Sequence, residues 1–326
     1  MSLKHLDQGL VRFLVLLALY LALHVLSQPL IYSSPPILPS RLWASDGMVR
    51  FGQSSLAWTA AVPAGNGAAV QFYGLVPEEN LPWFANPPLD LRDIKVRAGT
   101  ERFINAFYTT VPQPILEEQQ NTALAAAYLA GTVIEPNTVF SLNKSIGPRT
   151  SARGFGRGPL YKNGQLSATL GGGICKVATT MYNLAVYSDL DVVERHAHSM
   201  SVPYVPPGRD ATLLWGSKDL RLVNNKDHPL LIWAEVKGNT LYIALYGQYD
   251  PPLVEWHLEE MNKVPTWTIR RKNSQLAPGE VRSVDGAEGM SVKSWVEIQY
   301  RGLAPSRKHL STDFYRPLPN YIEYGP

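Results

Sequence analysis

One cysteine, Cys175, stands in a chain of 326 residues. An internal disulfide is therefore excluded, and with it the disulfide-stapled class of small secreted domains. Charge is also scarce, with 17% Asp, Glu, Lys and Arg and a net charge of +3. That is far from the concentrated basic footprint of a nucleic-acid-binding protein, so no nucleic-acid partner is expected. No HExxH pattern and no second thiol point to a metal centre, and no cofactor motif stands out. No internal repeat marks a solenoid or propeller. The 45% of hydrophobic residues nonetheless describes a globular chain long enough to bury a sizeable core.

Targeting is written at the N-terminus. Lys4, His5 and Arg12 precede an apolar run from Phe13 to Leu23 that continues to Leu26. Its length suits a signal-peptide core and approaches the minimum for a spanning helix. Residues 1–27 are thus expected to be either a signal peptide or a membrane anchor. Both send the rest of the chain outward, since the flanking positive charge stays inside. An exported chain with one unpaired thiol holds it either buried and inert or reactive.

Residues 28–99 read as a Pro-rich linker followed by short strands and loops around Trp43, Trp58 and Trp83. Residues 100–250 read as the main domain. Leu116, Leu124, Ala127 and Tyr128 recur at helical spacing through Glu117 to Ala130, and Gly131 stops the pattern. Residues 147–164, rich in Gly, Arg and Pro, are expected to be a long loop over a site. Gly171-Gly172-Gly173 opens a second helix to Tyr187, with Met181, Leu184 and Ala185 on one face. Strands are expected over 192–204, 211–215, 221–223, 230–236 and 241–246. Pro251-Pro252 marks a boundary, and 251–326 reads as a small all-β module. The expected class is α+β: two helices on an antiparallel sheet, then the β module.

Three features converge on chemistry. Cys175 follows the glycine run at a helix start, where free N–H groups and the helix dipole favour a thiolate. The same N–H groups, around Gly172, Gly173 and Lys176, suit an oxyanion; a glycine turn leading to a buried cysteine is the plainer alternative. In Glu194-Arg195-His196-Ala197-His198-Ser199, strand alternation puts both histidines on one face, where either is a candidate base for the thiol. Asp210, ending the rigid turn Tyr204-Val205-Pro206-Pro207-Gly208-Arg209, either orients an imidazole or caps the turn. Cys175, His196 and His198 also make a three-ligand set for zinc.

The stretches Leu170 to Cys175, Thr179 to Asn183, Glu194 to Ser199 and Tyr204 to Thr212 together resemble the VanW family of bacterial envelope proteins. Phe140 to Asn143, Gly147-Pro148-Arg149-Thr150, Gly154-Phe155, Asp219-Leu220 and Asn224-Asn225 add to the resemblance. Two positions depart from the family pattern: Lys176 replaces a usual Gln, and Pro136-Asn137 a usual Pro-Gly. Gly279, Gly286, Gly289, Gly302 and Gly325 resemble the glycines of a five-glycine (G-five) module. The resemblance implies a cell-envelope protein with L,D-transpeptidase-like activity on peptidoglycan stem peptides. Cys175 would be its nucleophile, His198 or His196 the base and Asp210 the orienting acid. Gly172, Gly173, Lys176, Thr179, Arg153 and Tyr204 are the candidate substrate-binding or oxyanion groups. The alternatives are a non-catalytic wall-binding or glycopeptide-resistance accessory protein and a zinc-dependent hydrolase.

Overall fold

The computed structural model describes residues 72–111, 114–162 and 165–326. The expected leader, the linker, Trp43 and Trp58 lie outside these residues. Among the described residues no helix is long and apolar enough to cross a membrane.

An antiparallel five-stranded sheet organises the first part of the structure. Its strands are β1 (Tyr73–Leu75), β2 (Arg102–Thr110), β3 (Thr132–Ile134), β9 (Leu230–Lys237) and β10 (Thr240–Gly247), in the order β1-β2-β10-β9-β3. Period-two alternation gives it two apolar faces. Phe107, Ile232, Ala234, Ile243 and Leu245 turn to one core, while Ala106, Leu231, Trp233, Ala244 and Tyr246 turn to another. The first face is covered by helices α2 (Leu116–Leu129) and α4 (Cys175–Tyr187), the second by α1 (Leu89–Ala98). Lys176 to Val186 is buried on every side of α4. Helices buried all round are core helices, and the polar Thr179, Thr180 and Asn183 fit because each finds a hydrogen bond.

The mixed helix-and-strand class holds, but its details differ from expectation. A third helix, α3 (Leu142–Ile146), lies between residues 100 and 250, its first turn capped by the Ser141 hydroxyl. Helix α1 sits where only strands and loops were expected. It buries a single residue, Leu91, so its sequence carries no apolar period to detect. The expected loop over 147–164 contains a 3-10 turn and one arm of a hairpin, β5 (Arg157–Lys162) with β6 (Gln165–Leu170). At the Pro136-Asn137 departure, Asn137 adopts φ +56°, a left-handed conformation that Asn tolerates better than most residues.

A small sheet of β4 (Val139–Ser141), β7 (Asp191–Glu194) and β8 (Arg221–Val223) flanks α3. The strand expected over 192–204 stops at Glu194, and none forms over 211–215. The reason is competition for backbone groups: Thr212 N–H bonds the His196 carbonyl, and Thr179 ties both backbone groups of Ala211.

Beyond residue 252 the chain is all strand. β11 (Leu253–Val264), β14 (Gly289–Gln299) and β15 (Ser306–Tyr315) form one antiparallel sheet. β12 (Thr268–Lys272), β13 (Val281–Val284) and β16 (Asn320–Tyr324) form another, in which β12 and β16 run parallel. Val296 and Ile298 of β14 join the same core as α4, with Trp256 of β11 packed against it. The C-terminal sheet is thereby continuous with the wall of the site.

Candidate functional site

Cys175 is the first residue of α4, and the three glycines before it make a tight approach possible. A Cβ at Gly172 would fall 2.2 Å from the carbonyl group of Gly158, so only glycine lets the hairpin and the turn meet. Asn121 of α2 clamps that meeting. Its amide nitrogen donates to the Gly156 and Gly172 carbonyls at 3.1 and 2.9 Å, and its oxygen accepts from Gly156 N–H. Gly171 and Gly172 N–H groups are engaged. Those of Gly173 and Cys175 make no bond among the described residues, leaving two unbonded donors on the turn that opens α4.

The sulfur is half-buried and has three polar neighbours. The Thr212 hydroxyl lies 3.3 Å away, Leu213 N–H donates at 3.5 Å, and the His198 ring is near enough to lower the thiol's pKa. His198 Nδ1 meets Asp210 Oδ2 at 2.6 Å, and the same oxygen accepts His198 N–H at 2.7 Å. The imidazole is thereby fixed to the carboxylate and stands near the thiol, with Asp210 fully buried. Arg195 braces the carboxylate: Nη2 reaches Oδ1 at 3.3 Å, Nε donates to the Asp210 carbonyl at 2.8 Å, and Nη1 pairs with Asp313 of β15. The Tyr315 hydroxyl, also from β15, donates to Oδ1 while accepting from Gly208 N–H at 2.6 Å.

Burial pushes the Cys175 thiol up, but His198, Leu213 N–H and the Thr212 hydroxyl outweigh it and bring it down to about 7. Burial works against a charged His198, yet Asp210 and Cys175 raise it to about 9. Burial also opposes ionisation of Asp210, and its bonds with His198 and Arg195 still hold it below its ordinary value. With the thiol near 7 and the imidazole near 9, a thiolate beside an imidazolium is populated from about neutral pH upward.

The other expected site residues divide. His196 does not join this grouping and is not on a strand; its ring is 3.1 Å from Glu194 Oε1, which also accepts Asp219 N–H. Cys175, His196 and His198 do not gather their ligand atoms within 4.8 Å, as a zinc set would; among the described residues only Glu255, His257 and Glu297 do so. Lys176 is buried and pairs with Glu118 at 3.1 Å, so its ammonium does not face the thiol. Its N–H bonds the Gly173 carbonyl. Thr179 fastens Ala211 to α4, and the Tyr204 hydroxyl lies near Thr179. Arg153 stacks on Tyr128 and donates to the Ile146 and Pro148 carbonyls at 2.7 and 2.9 Å, which shapes the loop between them.

Residues 117–246 match the family model described as VanW like protein. Over 155 residues the chain is 37% identical to the uncharacterized protein YoaR of Bacillus subtilis (strain 168), covering 48% of this chain and 50% of that protein. Over 136 residues it is 25% identical to the vancomycin B-type resistance protein VanW of Enterococcus faecalis (strain ATCC 700802 / V583), covering 40% and 50%. The chain thus spans about half the length of the curated relatives it matches. Among solved structures, the IgA1 protease G5 domain aligns with 24% of this chain and 98% of its own, at 26% identity and a TM-score of 0.16. The HP0197-G5 crystal structure aligns with 23% and 100%, at 16% identity and a TM-score of 0.13.

Proposed function

From a VanW-like domain over residues 117–246, we propose that this chain is an extracytoplasmic cysteine acyltransferase that acts on peptidoglycan stem peptides. The observation that carries this reading is the grouping of Cys175, His198 and Asp210, with a lowered thiol, a raised imidazole and two unbonded N–H groups on the turn that presents the thiol. Similarity to a protein named for vancomycin resistance supports a cell-wall substrate. In this reading residues 1–27 place the chain at the outer face of the cytoplasmic membrane, and the C-terminal strands help to hold it on the wall.

The Cys175 thiolate attacks the carbonyl preceding a terminal D-amino acid, and the Gly173 and Cys175 N–H groups receive the developing oxyanion. The C–N bond breaks as the His198 imidazolium gives its proton to the departing amine. A thioester and a neutral imidazole remain. The amine of a neighbouring stem then attacks the thioester, His198 takes its proton, and the thiolate leaves with a new amide formed. Asp210 keeps the imidazole in one tautomer throughout, as the acid of such a triad does.

Intact-mass measurement after incubation with muropeptides tests this. The expected result is a thioester adduct on Cys175, with release of the terminal D-amino acid. A thiol that alkylates rapidly but never carries acyl from any muropeptide would refute the substrate class. One that does not alkylate near neutral pH would instead favour a non-catalytic wall-binding role.

A further inference from the structure

Two arginines lie on the loop between α3 and β5, and they are used differently. Arg153 places Nη1 on both the Ile146 and Pro148 carbonyls, and its remaining nitrogens are not among the buried unpaired ones. Arg149 places only Nη1 on an acceptor, the Gly147 carbonyl at 3.1 Å, while Nε and Nη2 are buried with no partner among the described residues. A guanidinium with two shielded, unbonded nitrogens is costly, and such a group in a folded protein calls for an explanation.

Its position supplies one. Arg149 packs directly on the turn that presents the thiol: a Cβ at Gly171 would sit 2.5 Å from Arg149 Cγ. Its charge interacts with Cys175 and Asp219, which oppose the lowering that burial imposes on it. Asp219 cannot satisfy the guanidinium, because its oxygens already serve Ser141, Asn143 and Leu220. Trp215, half-exposed on the tight turn from Leu214 to Lys218, lies over the guanidinium with its ring centre 5.7 Å away.

We propose that Arg149 is a carboxylate-binding residue beside Cys175, roofed by Trp215, and that it holds the free C-terminal carboxylate of the residue to be released. This deepens the acyltransferase reading and rests on it: a scissile amide preceding a terminal amino acid always has a carboxylate close to the leaving nitrogen. Nε and Nη2 form the planar fork that suits a carboxylate in a bidentate grip.

Alkylation of the full chain by iodoacetate and iodoacetamide tests this without the natural substrate. In both reagents the thiolate displaces iodide, but only iodoacetate carries a carboxylate. The ratio of the two rates should exceed that of a free peptide thiol by about tenfold, the scale of one charged hydrogen bond. Arg149→Gln should return the ratio to the free-thiol value, and because both reagents report the same thiolate fraction, the ratio is independent of any change the lost charge makes in that fraction. Arg149→Lys, which keeps the charge but not the fork, should retain part of the preference. In the unsubstituted protein N-acetyl-D-alanine should slow iodoacetamide, and its methyl amide should not. A ratio at the free-thiol value in the unsubstituted protein, or one unchanged by folded Arg149→Gln, would overturn the assignment, as would equal protection by acid and amide. A thiol inert to both reagents would overturn the nucleophilic reading beneath it, and the assignment with it.

Discussion

The Tyr315 hydroxyl donates its hydrogen to Oδ1 of Asp210, 105 residues away in the chain. The bond joins the last residue of β15 to the carboxylate that orients His198, and Arg195 repeats the connection through Asp313. The C-terminal strands therefore contribute to the wiring of the site as well as to its packing.

Tyr315→Phe should fold but lose stability, because Asp210 and Gly208 N–H each lose a buried partner. The expected cost is about 1–3 kcal/mol, measured by urea denaturation. A chain ending at residue 250 removes Asp313 as well and should yield no active, cooperatively folded core. A truncated chain that acylates like the full one would contradict this.

Cys175→Ser should abolish thioester formation and leave the circular dichroism spectrum unchanged, since a hydroxyl of far higher pKa replaces the thiolate at nearly the same volume. His198→Ala should lower acyl transfer by roughly 10² to 10⁴, the usual contribution of a positioned acid–base group. His196→Ala should have little effect, because that ring is bonded to Glu194. If His196→Ala abolishes transfer and His198→Ala does not, the assignment of the base is wrong.

The rate of Cys175 alkylation by iodoacetamide should rise with pH through a midpoint near 7, the value to which His198 and its neighbours bring the thiol down from its ordinary 9.0. The sign follows from the acid form being the unreactive one: a lowered pKa moves the rise to lower pH. His198→Ala removes the lowering partner and leaves burial, which raises the thiol, so the midpoint should move alkaline. Acyl transfer should be bell-shaped, falling again as His198 loses its proton near 9.

Gly172→Ala should be far more damaging than a surface glycine substitution such as Gly238→Ala. At 172 the new methyl meets the backbone of Gly158 and Pro159, which cannot rotate away, whereas a Cβ at 238 meets nothing within 4 Å. Gly238 has φ +59°, so its substitution carries only local strain of about 1 kcal/mol. Thermal unfolding of the two variants, with alkylation as the activity readout, makes the comparison.

How much the sequence told depended on the range of the interactions. The thiol at a glycine-opened helix, the helix itself and strands β9 and β10 were legible because each rests on local periodicity or turn chemistry. Placing His196 and His198 together on a strand failed because the backbone of 196–213 is held by Thr179, Asp210 and its own cross-chain bonds. Nothing within a few residues announces those partners. The distinction between Arg149 and Arg153, four positions apart, was equally invisible, since it depends on which carbonyls the folded loop presents. Tyr315 carried no signal at all: a tyrosine ending a β-strand looks like any other.

The tie between Tyr315 and Asp210 also sets an order in time. Synthesis proceeds from the N-terminus, so the carboxylate at 210 is made 105 residues before the phenol that completes its shell. At about 5–20 residues per second that gap is roughly 5–20 seconds. For that interval Asp210 exists without its Tyr315 partner, and its hydrogen-bond shell is complete only once residue 315 has been added and β15 has docked.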